Sequence, residues 1–160
     1  MIQDIFTAVK DAIIENVPAI KYVSEDWGQL DFYQNHPPVQ WPCLLYDVDE
    51  FAYTDRANKQ QAAEGTITIR VADYKAVNTS ALSPDNTPPL AMLELLSGVY
   101  KALHGLSRET FSGLKRVGLI RVRSDNGVRE YRMTFKTSFL DNDAIKNNTR
   151  TRPSVHTSIV

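Results

Sequence analysis

Apolar residues recur at three- and four-residue steps through the first seventeen positions: Ile2, Ile5, Phe6, Val9, Ile13 and Val17. Asp4, Lys10, Asp11 and Glu15 fall between them. This spacing predicts an amphipathic helix whose stripe packs on a core, ended by Pro18, which disfavours the helical state at Val17. Ile20–Ser24 reads as a short strand, followed by a polar loop from Trp27 to Asn35. The stretch His36-Pro37-Pro38-Val39-Gln40-Trp41-Pro42 must be extended, because its prolines fix φ and remove amide donors. It leads into Cys43–Tyr53, where Leu45, Asp47 and Asp49 alternate with Leu44, Tyr46 and Val48. Thr66–Tyr74 alternates more cleanly, with Ile67, Ile69 and Val71 on one side and Thr66, Thr68 and Arg70 on the other.

Residues 54–65 have no apolar periodicity and are far longer than the two-residue turn an antiparallel pair needs. They predict a long hairpin with a projecting loop at its tip. After a second polar connection, Thr87 suits a helix N-cap and Pro88 the first helical turn. Met92, Leu93, Leu96, Val99, Tyr100 and Leu103 form that helix's stripe, and Gly105 its left-handed end. Leu114–Arg123 and Val128–Phe139 predict a hairpin turning at Asp125-Asn126-Gly127, with Tyr131, Met133 and Phe135 inward and Arg132 and Lys136 outward. Residues 141–160 lose all periodicity. The expected fold is α+β: an antiparallel sheet with two helices packed on one side. One domain is expected over residues 1–140, with an extended polar arm at 141–160.

Composition narrows the function. Cys43 is the sole cysteine, so no intrachain disulfide and no multi-cysteine metal site can form. Asp4 and Asp11 interrupt the first segment, no basic region precedes it, and no apolar run has the length of a membrane span. Synthesis and folding in a cytoplasm are expected. The formal net charge of −1 hides a split. Residues 1–100 hold six Lys/Arg and fourteen Asp/Glu, whereas residues 101–160 hold twelve and five. A chain with an acidic and a basic part can associate head to tail, as in rings and filaments.

Catalytic chemistry has little to stand on. Asp47 and Asp49 share a strand face at a spacing a metal could use, with Glu64 and Lys59 as conceivable partners only if the loop brings them near. His36, His104 and His156 have no metal-ligand spacing, and neither a nucleophile elbow nor a phosphate-cradling glycine loop is present. We expect no enzyme, cofactor, metal or small-molecule substrate. The basic residues Lys115, Arg116, Arg121, Arg123, Arg129, Arg132 and Lys136 could track phosphates, making a nucleic-acid module built on the hairpin 114–139 an alternative. No aromatics are interleaved for base stacking, and an acidic protein surface suits this set better.

The order of elements resembles the tail terminator and tail-completion proteins of long-tailed bacteriophages. The resemblance spans residues 1–140. It rests on the opening helix Ile2–Val17, the proline-containing stretch Pro37-Pro38-Val39-Gln40-Trp41-Pro42-Cys43-Leu44-Leu45-Tyr46, the long hairpin with Thr66–Val71, the helix Leu90–Leu106, and the basic hairpin Ser112–Phe139. It implies a non-catalytic virion protein, made in the bacterial cytoplasm and placed at the tail-neck region. Such proteins form rings, typically hexamers, on the head-proximal end of the tail tube. They stop its polymerisation and join it to the head connector. A neck or connector role in the same region is the alternative the long tail leaves open. The expected partners are other copies, the tube protein and connector proteins. The expected contact residues are Asp47, Asp49, Asp55, Arg56, Lys59, Gln60, Gln61, Arg116, Arg121, Arg123, Arg132, Lys136, Arg150 and Arg152.

Overall fold

The computed structural model describes residues 1–33, 36–74, 87–123 and 127–145. Along the chain these form α1 (Ile2–Asn16), β1 (Tyr22–Glu25), β2 (Cys43–Asp55), a 3-10 turn (Ala57–Lys59), β3 (Gln61–Tyr74), α2 (Thr87–Leu103), β4 (Lys115–Val122) and β5 (Val128–Asp141). The five strands make one sheet in the order β1-β2-β3-β5-β4. The class is α+β, as the periodicities indicate.

The helical stripes meet one sheet face. Ile5, Val9 and Ile13 of α1 and Leu96, Val99 and Leu103 of α2 share a buried cluster with Leu44, Ile67, Ile69, Met133 and Phe135. Burying these large side chains is the main force that holds the helices to the sheet. The opposite face has its own smaller cluster of Leu30, Cys43, Leu45, Ala72 and Val128, flanked by Val39 and Trp41. The loop after β1 and the proline-rich stretch therefore cover part of the face that the helices leave open.

Two local expectations change. The sheet is antiparallel except at one edge, where β1 runs parallel to β2, from Tyr22 opposite Cys43 to Glu25 opposite Tyr46. The chain between them crosses the open face before returning beside the start of β1, where the Lys21 amide donates to the Pro42 carbonyl. A parallel pair requires such a crossover.

The second change concerns residues 54–65. The hairpin is long, but its length comes from strand rather than loop. β2 and β3 stay paired out to Asp55 and Gln61, and only residues 56–60 turn. Asn58 and Lys59 take positive φ there. Gln61-Ala62-Ala63-Glu64-Gly65 has poor strand propensity, yet it is held on both sides, by β2 and by β5 as far as Asp141. Pairing context overrides propensity in sheets. The β2 register shifts between Val48 and Glu50, opposite Ile67 and Thr66. Just past it Gly65 pairs with Phe51, and a Cβ there would collide with the Glu50 carbonyl and the Phe51 ring, so that position admits only glycine.

Gly105 and Gly127 have positive φ, as their positions after α2 and before β5 require. The Thr87 side chain, the connection 75–86, Asp125, Asn126 and residues 146–160 lie outside the described residues.

Candidate assembly interface

Strand register aligns residues across the open face in rows. One row runs Leu45, Arg70, Arg132 and Ile120. Arg70 is buried, with a relative exposure of 4%, because the loop after β1 folds over it. Its Nε and Nη2 donate to Glu130 Oε1 and Oε2 at 2.9 and 3.0 Å. Nη1 and Nη2 donate to Asp31 Oδ2 and Oδ1 at 2.7 and 2.9 Å, and Nη1 also donates to Asp26 Oδ2 at 2.8 Å. Five hydrogen bonds thus match the five donors of the guanidinium. Arg132 adds a bond from Nε to Glu130 Oε1 at 2.6 Å.

Burial works against the charge on Arg70, but the hydrogen bonds from Asp31, Glu130 and Asp26 outweigh it and raise its pKa. The same bond from Arg70 holds the Asp31 carboxyl below the usual carboxylate value, against a smaller desolvation effect. Gln29, fully buried, ties the loop to itself: its Nε2 donates to the Glu25 carbonyl and its Oε1 accepts from the Trp27 amide. This cluster is a fastener for the loop. Asp26, Asp31 and Glu130 carry no periodic or motif signal that would tie them to Arg70 in the sequence, since they lie 39 to 60 positions away from it.

Beside the cluster is a hollow of about 360 Å³ lined by Asp26, Asp31, Asp47, Asp49, Thr68 and Arg132, among others. Asp47 and Asp49 do share it, but both are engaged: Asp47 Oδ1 accepts from the Val48 amide and Asp49 Oδ2 from Thr68 Oγ1. Glu64 stands opposite Ala52, further along the hairpin, and Lys59 sits in the turn. The four residues are not gathered as a metal enzyme would need. No group of three or more His, Cys, Asp or Glu among the described residues could hold a metal ion. Burial pushes the Cys43 thiol up to about 12, so it stays protonated and unreactive in the folded chain.

The basic hairpin is divided between two faces. Arg116 pairs opposite Phe135 and Arg121 opposite Tyr131, on the helix side. The Arg116 guanidinium lies 3.8 Å from the Tyr100 ring centroid of α2. Lys115 lies opposite Lys136, and Arg132 beside Arg70, on the open face. Arg123 follows β4, exposed. Such a distribution lines an edge rather than a single face. Asp55 and Gln61 close the last pair of the β2–β3 hairpin, bonded Gln61 Nε2 to Asp55 Oδ1, and Arg56, Lys59 and Gln60 form its tip. Gln60 Nε2 donates to Asn142 Oδ1, so the tip and the end of β5 are held together. Arg150 and Arg152 lie outside the described residues.

Past the start of β4, at Lys115 opposite Lys136, β2, β3 and β5 run on as a three-stranded arm. A groove of about 860 Å³ lies along it, lined by Met1, Ala63, Phe111, Ser112, Phe139 and Leu140, among others. No helix among the described residues is long and apolar enough to cross a membrane.

This fold is similar to that of a solved chain from the virion of the native gene transfer agent particle. The TM-score is 0.54 at 16% sequence identity, over 84% of this chain and 93% of that one. No protein-family model matches the sequence, and no curated protein matches it either.

Proposed function

We propose that this protein is a structural subunit of a phage-like virion, a tail terminator that forms a ring on the head-proximal end of the tail tube. The observation behind this reading is the fold shared, nearly end to end, with a chain of the gene transfer agent virion. The arm supports it: three paired strands extend past the start of β4 and offer backbone and side chains to neighbours. The solvent-facing residues at its tip, Asp55, Arg56 and Lys59 among them, suit contact with other copies or the tube. In this reading the ring stops tube growth and presents a surface to the connector.

Deleting the gene from the genome that carries it tests the proposal by electron microscopy of the lysate. Overlong tails and unattached heads are expected. Tails of normal length that fail to join heads would assign the protein to the neck instead. Normal, infectious or transducing particles would overturn the virion role.

A further inference from the structure

The two edges of the sheet are complementary in charge. β1 covers β2 only from Cys43 to Tyr46, so β2 is itself an edge from Asp47 to Asp55. That free stretch holds Asp47, Asp49, Glu50 and Asp55 and no Lys or Arg. At the other edge, residues 115–123 hold Lys115, Arg116, Arg121 and Arg123 and no Asp or Glu. Among the described residues, none of these eight side chains forms an ion pair. Along the basic edge Val117, Leu119 and Ile120 are 55%, 46% and 60% exposed. A long edge strand with exposed apolar side chains is a template for another strand unless something covers it.

We propose that the β4 edge of one copy docks on the free β2 edge of a second copy and continues the sheet from subunit to subunit. Direction permits it. β2 is antiparallel to β3, β3 to β5, and β5 to β4, so β4 of one copy meets β2 of a like-oriented neighbour antiparallel. Length permits it as well: the eight residues of β4 match the free stretch of β2. Because β1 blocks Cys43–Tyr46, the incoming strand sits displaced toward the hairpin tip.

Setting Phe51 beside Leu119 joins two side chains of the helix side and sets Ala52 beside Gly118. The bulges at Val48/Glu50 and Arg116/Gly118 flank this segment, so the acidic and basic residues of the two edges come near one another without one-to-one pairing. β4–β4 or β2–β2 contacts would instead set like charges together. The contact is heterologous, so its repetition closes a ring or grows a filament.

This inference rests on the ring proposed above and is tested on the purified full chain. Lys115→Glu/Arg121→Glu and Asp49→Lys/Asp55→Lys, each folded by circular dichroism, should sediment as monomers, while their equimolar mixture recovers the wild-type oligomer. Independently, Ala52→Cys/Gly118→Cys, the pair next to Phe51 and Leu119 and clear of both bulges, should give a ladder of disulfide-linked oligomers on a non-reducing gel. A wild-type chain that stays monomeric, inverted variants that assemble like wild type, a mixture that stays monomeric, or the absence of a ladder overturns the edge pairing. The deletion phenotype decides the virion role separately.

Discussion

Arg70 on β3 and Glu130 on β5 form a two-bond fork on the open face of the sheet, at 2.9 and 3.0 Å, both side chains under a tenth exposed. The pair lies one step off the direct register, in which Arg70 faces Arg132 and Ala72 faces Glu130. It would be costly in isolation, because two charges leave water. Here the remaining donors of Arg70 are met by Asp26 and Asp31, and the loop after β1 closes over the cluster.

Replacing Arg70 by Met leaves three carboxylates crowded without their cation. We expect a loss of about 3–5 kcal/mol in urea unfolding, the range for breaking a buried ion pair from one side. Arg70→Lys should recover only part of that, since one ammonium cannot reproduce two forks. A lysine variant as stable as wild type would show that charge alone, not fork geometry, holds the loop.

Acid should release the loop. The Asp31 pKa in the folded chain is depressed below its ordinary 3.8, chiefly by the hydrogen bond from Arg70. A depressed folded pKa means a stabilising contribution that is fully present above the unfolded value and lost as pH falls through the folded one. Asp31→Asn, which cannot ionise, should therefore be less stable than wild type at neutral pH, and the two urea midpoints should converge as pH drops below 3.8. A gap that stays constant across that range would remove Asp31 from the pH response.

Gly65, paired with Phe51 just past the β2 bulge, should tolerate no side chain. Gly65→Ala drives a methyl group into the Glu50 carbonyl and the Phe51 ring. We expect a loss of about 1–3 kcal/mol, typical of overpacking, read from thermal or urea unfolding. Gly118→Ala serves as the control, since its added Cβ meets only Thr134 at ordinary contact distance. Equal stability of the two variants would count against a steric constraint at Gly65.

The apolar stripes of α1 and α2 and the alternation of β3 and β5 were legible from the chain because each reflects one burial decision: a face toward the core and a face toward water. Cys43 among apolar neighbours, and the left-handed Gly105, were legible for equally local reasons. The strands at 54–55 and 61–65 were not, because Ala, Gln, Glu and Gly there become strand only through ladders to β2 and β5.

The separation of acidic and basic residues into two stretches is a property of the sequence alone. Whether those stretches cancel within one molecule or point apart is decided by sheet order, which sets β2 and β4 at opposite sides with β3 and β5 between them. Sequence also shows Arg70 as a lone base in an alternating strand. Only the folded loop supplies Asp26 and Asp31, and only strand pairing supplies Glu130, because contacts across 39 to 60 residues are made by tertiary packing and leave no local pattern.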